Sequence, residues 1–136
     1  MNKTFFVISL IVSLAFGAAS FSEAQSLVFC KKVGAGGNPV DASTYFRSGS
    51  STDTIYFLVH IPNPMLCSYV NYEIYTLEGD GKEQWAVTIK QDGIGSDWTW
   101  FWKKITFYES GSYAVYVKDC NSKIIADGKL RILLYK

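Results

Sequence analysis

The chain has 136 residues, 49% hydrophobic and 16% aromatic, with 13 basic against 12 acidic side chains and a net charge of +1. That balance excludes a basic stripe for nucleic acid and an acidic tail, and the length suits one domain burying about two-thirds of its unfolded surface. The three cysteines match no metal-ligand spacing and are too sparse to stand in for a core, and their odd number leaves at least one thiol without an intramolecular partner.

Residues 1–24 read as a cleavable signal peptide. Lys3 supplies a short positive start, 5–19 is an uncharged apolar run, and Ser22 and Ala24 set small residues at −3 and −1 of a cut before Gln25. The run falls short of the ~18 apolar residues of a membrane helix, so the product is expected to be secreted or periplasmic, with no stable membrane insertion. Residues 25–136 then form a single domain. No N-x-S/T sequon with a permissive middle residue follows, which fits a bacterial source.

After residue 25 the apolar pattern has period two, and no apolar stripe holds helical spacing for three turns. The alternation predicts strands at 27–33, 53–61, 68–77, 84–91, 98–107, 112–118 and 123–134. Gly34 to Pro39 ends the first strand, and Pro62-Asn63-Pro64 ends the second by removing donors and fixing φ. Glu78-Gly79-Asp80-Gly81 reads as a hairpin turn, and 92–97 links the fourth strand to the fifth. The polar segment 40–51 is either a long loop or a short edge strand. Parity turns Val70, Tyr72 and Ile74 inward on the third strand, Trp85, Val87 and Ile89 on the fourth, Tyr113, Val115 and Val117 on the sixth, and Leu130, Ile132 and Leu134 on the last.

Catalytic signals are weak. His60, the lone histidine, ends a strand with no Ser or Cys motif around it, and the carboxylates Glu78, Asp80, Glu83, Asp92 and Asp97 lack the spacing of a calcium loop. The reading is a non-enzyme with no cofactor and no metal. The most unusual composition is Trp98-Thr99-Trp100-Phe101-Trp102-Lys103-Lys104, where alternation sets three indoles on one face and Phe101 on the other. Exposed coplanar indoles would stack on sugar rings, whereas buried ones would fill the core, each removing ~150–250 Å² from water. A small chain needs large core residues, so these indoles are expected mostly in the core, with Trp98 left exposed.

The closing segment F-Y-E-S-G-S-Y-A-V-Y-V-K-D (107–119) followed by I-I-A-D-G-K-L-R-I (124–132) resembles the last two strands of immunoglobulin-like domains, particularly the PKD-like and fibronectin-III-like domains of bacterial extracellular proteins. The resemblance implies an all-β fold, an immunoglobulin-like antiparallel β-sandwich of about seven strands. In it Gly111 lets the chain turn a tight corner and Tyr113 lays its ring in the core while its hydroxyl reaches backbone a few residues upstream. Val115 stands where antibody-type domains carry a core cysteine, so their inter-sheet disulfide is not expected. Gly79-Asp80-Gly81 lacks the Trp-Asp-Phe that precedes it in PKD domains.

In that sandwich the third, sixth and seventh strands share a sheet, whose outer face would carry Tyr69, Tyr75, Tyr116 and Tyr135 among Glu73, Lys118 and Arg131. Tyrosine with mixed charge suits protein recognition, although it is also an ordinary strand residue. Cys67 and Cys120 would lie at one end of the fold, with Cys30 near them, and the expected pairing is Cys67–Cys120 with Cys30 free, the alternatives being a pairing through Cys30 or no bond at all. Two functions follow as expectations. The first is a binding or structural module for a partner protein, through the tyrosine face or the loops at the end bearing Cys67 and Cys120. The second is a carbohydrate-binding module for a glycan, built on Trp98, Trp100 and Trp102.

Overall fold

A computed structural model describes residues 26–135; the expected signal peptide lies outside the described residues. Ten strands occur among the described residues: β1 (Ser26–Cys30), β2 (Lys32–Val33), β3 (Pro39–Val40), β4 (Tyr45–Ser48), β5 (Asp53–His60), β6 (Val70–Leu77), β7 (Glu83–Gln91), β8 (Trp100–Phe107), β9 (Gly111–Lys118) and β10 (Ile124–Leu134). The seven long ones fall where the alternation predicts them. The expected first strand breaks at Lys31 into β1 and β2, because β2 leaves the sheet to pair with β3.

β1, β5 and β8 form one sheet in the order β1-β5-β8, and the other sheet runs β4-β10-β9-β6-β7. The segment 40–51 holds an edge strand, β4, which pairs with β10 in parallel, Tyr45 beside Arg131 and Ser48 beside Leu134. The expected all-antiparallel pairing is corrected there: β4 reaches β10 after the chain crosses from one sheet to the other, and so arrives running the same way.

Inner faces of the two sheets meet over Phe29, Ile55, Phe57 and Val59 on one side and Val70, Tyr72, Val115, Val117, Leu130 and Ile132 on the other. Phe57, fully buried, has Phe29, Tyr72 and Phe107 around it with ring centroids 5.0, 6.0 and 6.1 Å away. Burying such a ring contributes about 1.5–3 kcal/mol, so this aromatic group ties the two sheets together. Burial also pushes the Tyr72 phenol well above its usual pKa, and its hydroxyl donates to Gln91 Oε1 at 2.6 Å. At the other end the Tyr113 hydroxyl donates to the Glu109 carbonyl at 2.7 Å, and Gly111 takes φ +153°, a conformation that side chains rarely adopt. These two residues hold the corner into β9.

The fourth predicted strand needs correcting. A bulge between Ile74 and Tyr75 sets Trp85 opposite Tyr75 and Val87 opposite Ile74. One inserted residue therefore turns Trp85 onto the outer face, 59% exposed, with its Nε1–H donating to Thr88 Oγ1 at 2.9 Å. Val87 does face inward but remains 41% exposed, and only Ile89 packs on the core. β7 is the end strand of the wider sheet, and among the described residues β6 is the strand that pairs with it.

Candidate binding groove beside strand β8

Alternation along β8 sends Phe101, Ile105 and Phe107 into the core and leaves Trp100, Trp102, Lys104 and Thr106 on the outer side. The expectation that the indoles mostly fill the core is thus corrected. Trp98 and Trp102 are 42% and 40% exposed and Trp100 is half-buried. The physical reason lies within the strand: Phe101, Ile105 and Phe107 share one parity with each other, and Lys104 and Thr106 share the other with Trp100 and Trp102. Each parity carries one lysine, Lys103 on the inner side and Lys104 on the outer, so the choice falls to Ile105 and Phe107 against Thr106: burying the indoles would have exposed both apolar residues.

The segment after β1 folds back over part of this outer side. Cys30 and Leu58 are fully buried although both point away from the main core, and His60 Nε2 lies 3.1 Å from the Gly37 carbonyl oxygen. Gly37 has φ +80°, and a Cβ there would stand 2.6 Å from Cδ2 of Trp100, so the Trp100 ring sits where only glycine leaves room. Tyr56 meets Trp102 at 5.1 Å, tilted by 47°. Trp98 stands on the loop before β8, its ring against Gly95, where a Cβ would come 2.6 Å from Cδ1. Between Trp98, Trp100, Trp102 and Lys104, with Gln91 and Asp97 at the rim, runs an open groove of about 870 Å³. Tyr56 and Gln91 escape sequence reasoning because they come from β5 and β7; the polar parity of Lys104 and Thr106 was the signal that could have exposed the indoles.

β8 is also an edge strand. Thr99 accepts from the Ile61 N–H, and the register then alternates, so Phe101, Lys103, Ile105 and Phe107 exchange backbone hydrogen bonds with β5. The N–H and C=O groups of Trp100, Trp102, Lys104 and Thr106 point the other way, toward the groove. Among the described residues one of them is engaged, the Trp102 carbonyl, which accepts from Gln91 Nε2 at 3.0 Å. The opposite edge of this sheet differs: Phe29 accepts from the Ser43 N–H, and the Lys31 N–H donates to Val40.

The four tyrosines lie on the outer side of the wider sheet, in three places. Tyr75 and Tyr116 touch edge to face at 5.5 Å on β6 and β9. The Tyr75 hydroxyl donates to Glu73 at 3.0 Å and the Tyr116 hydroxyl to Glu83 at 2.6 Å, while Lys118 bridges Glu73 at 3.0 Å. Its hydrogen bond to Glu83 pushes the Tyr116 phenol up to about 12, and the Glu73 bond raises that of Tyr75. Tyr69 stands at the opposite end of β6 from Tyr75, under the Lys90 ammonium, 4.5 Å from its ring centroid. Tyr135 stands apart, beyond β10, with the Arg47 guanidinium 5.3 Å over its ring and Gly49 beside it. Trp85 and Tyr45, the latter under Arg131, share this side and are not anticipated by the sequence pattern as surface residues.

Cys67 and Cys120 form a disulfide with Cα atoms 5.6 Å apart. Cys30 is free and buried; burial pushes its thiol pKa up, which leaves it a poor nucleophile. It pairs with Tyr56 in the middle of β5, away from the Cys67 end, because β1 runs antiparallel to β5 and Ser26 is the residue that reaches His60. Among the described residues no three acidic, histidine or cysteine side chains gather as a metal site would need, and no helix is long and apolar enough to cross a membrane.

No protein-family model and no curated protein matches the sequence. Solved structures show only a loose likeness. A superoxide reductase (neelaredoxin) from Ignicoccus hospitalis is 10% identical, with TM-score 0.41 over 87% of this chain and 89% of its own. The CARDB domain of the PF1109 protein from Pyrococcus furiosus, solved in complex with di-metal ions, is 9% identical with TM-score 0.38 over 82% and 92%. Pseudomonas fluorescens alkylpurine DNA glycosylase AlkC, bound to DNA, is 11% identical with TM-score 0.36, and the match spans 66% of this chain but 28% of that one. Likeness at this level carries nothing about a ligand.

Proposed function

We propose that the chain is an exported, non-catalytic binding module of immunoglobulin-like fold, and that it takes a partner protein along the groove beside β8. One observation carries this reading: two indoles about 40% exposed flank an open groove at a strand edge that is unpaired among the described residues. Exposed tryptophan at a concave surface is an anchor for protein partners. The tyrosine face is the weaker candidate, since the hydroxyls of Tyr75 and Tyr116 are already spent on Glu73 and Glu83. Export rests on the leader-like sequence of residues 1–24.

The same exposure of Trp98 and Trp102 favours a second reading, a carbohydrate module. Against it, Trp100 is half-covered at Gly37 and Trp102 leans on Tyr56, so the three rings do not form one flat platform. Both readings are tested by capture from an envelope extract of the source cell, comparing wild type with the Trp98→Ala/Trp102→Ala and Tyr75→Ser/Tyr116→Ser proteins. Loss of captured protein in the tryptophan pair alone is expected. Capture unchanged in that pair overturns the groove as the site, and a tryptophan emission shift on adding soluble polysaccharide, with no protein captured, favours the sugar reading.

A further inference from the structure

We infer that β8 is a docking edge, at which an extended segment of the partner, alternating apolar and acidic residues, adds as a fourth strand to the β1-β5-β8 sheet. The inference rests on the groove being the binding site and names how it binds.

Three observations converge. The first is the row of backbone groups at Trp100, Trp102, Lys104 and Thr106, aimed away from β5 and met only by the Gln91 side chain among the described residues. A row of that kind is a template for another strand, and folded proteins ordinarily blunt it. Here the β1 edge is engaged by Val40 and Ser43, and the β7 edge is broken by the bulge at Trp85. Among the described residues the β8 edge has no bulge and no backbone partner, and Lys103 and Lys104 are its charged side chains.

The second is the mismatch in width between the two sheets, five strands against three. Val87 and Ile89 face inward on β7, yet Val87 is 41% exposed, and among the described residues the narrower sheet ends at β8. A strand added beside β8 would lie over β7, and its inward side chains would cover Val87. Apolar residues therefore suit the inward positions of the guest.

The third is charge. Lys103 and Lys104 are consecutive on β8, so they project to opposite faces, and among the described residues neither forms an ion pair. Acidic residues at the guest's outward positions would meet Lys104, while Lys103 lies on the side of its apolar row. The same pair disfavours a second copy of this chain as the occupant, because a β8–β8 pairing would bring lysines against lysines.

The test uses the folded domain, residues 25–136, and a capped nonapeptide alternating valine and glutamate, with its valine–lysine counterpart as control. Binding is read by tryptophan fluorescence, and the site by amide hydrogen exchange. The expected result is saturable binding of the glutamate peptide alone, with slowed exchange at Trp100, Trp102, Lys104 and Thr106. Lys104→Pro removes one edge-facing N–H while leaving the β5 ladder whole, a substitution that edge strands accept. It is expected to weaken binding by about tenfold or more, and Lys104→Ala, which keeps the N–H, by about threefold. No binding at about 1 mM peptide overturns the inference, as does equal binding by Lys104→Pro, protection confined to other strands, or a dimer through β8 in sedimentation. Should Lys104→Pro fail to fold, the exchange pattern of the wild type decides. Envelope capture that needs Trp98 and Trp102 but survives Lys104→Pro retires strand addition and leaves the groove standing as a binding site.

Discussion

Removing the disulfide tests how much the fold depends on a covalent tie between the entry to β6 and the turn joining β9 to β10. Cys67 and Cys120 are 53 residues apart, and closing a loop of that length restricts the unfolded chain by about 4 kcal/mol. Cys67 is buried and its Sγ also accepts the Cys120 N–H at 3.1 Å, so replacing both residues with alanine adds a small packing loss. Unfolding entropy near 60 °C is about 2.1 cal/mol/K per residue; over the ~110 described residues, 4 kcal/mol becomes a fall in Tm of about 17 °C. The measurement is urea and thermal unfolding of the Cys67→Ala/Cys120→Ala protein beside oxidised wild type, followed by tryptophan fluorescence and circular dichroism. Because the constraint acts on the unfolded chain, the m-value should rise in the variant as more surface opens. A stability loss below about 1 kcal/mol, with m unchanged, would refute the loop-entropy reasoning.

Tyr113→Phe deletes the hydroxyl that satisfies the Glu109 carbonyl and should cost about 1 kcal/mol by urea unfolding; a neutral result would deny that hydrogen bond any structural role. Phe101→Ala should destabilise by about 3–5 kcal/mol, while Trp85→Ala, on the outer face, should stay within about 1 kcal/mol. Reversal of that order would restore the unbulged register of β7. In alkali, the raised folded-state pKa values of Tyr72 and Tyr116 mean that their contribution is full below the unfolded value near 10 and declines as pH climbs above it. Stability measured from pH 9 to 11 should fall, and absorbance at 295 nm should show Tyr116 titrating near 12 in the folded protein and closer to 10 after Glu83→Gln. A Tyr116 titration that ignores Glu83→Gln would show that the Glu83 hydrogen bond is not what raises this phenol.

The long strands and the β9 corner are legible in the sequence because each depends on neighbours along the chain. Val70, Tyr72 and Ile74 announce their inward parity, and Gly111 with Tyr113 announces a corner within four residues of Glu109. Trp85 defeats the same reasoning because parity fixes faces only up to the next bulge, and the inserted residue, Ala86 between Trp85 and Val87, leaves no mark in the alternation itself. For Trp100 and Trp102 the missing information is partly present: carrying the pattern on to Lys104, Ile105, Thr106 and Phe107 shows which face is polar. The groove's Gln91 wall is not legible, since Gln91 lies outside the tryptophan-rich segment and reaches β8 only through the fold, as does Tyr56, which packs on Trp102. β4 is hidden for a similar reason. Four residues of strand in a polar segment have no pattern of their own, and β10 supplies the pairing.

That short parallel contact gives the domain a direction along which it resists force. β4 lies toward the front of the chain and β10 at its back, and they run the same way with Tyr45 to Ser48 beside Arg131 to Leu134. Tension reaching β4 from the front while β10 is drawn from the back slides the two strands along each other, so their hydrogen bonds are loaded together in shear. The antiparallel contact of β9 with β10 would instead be opened one bond at a time if β10 were pulled back over its own turn. A module tethered at one end and gripped at the other would hold longest when pulled along its own strands.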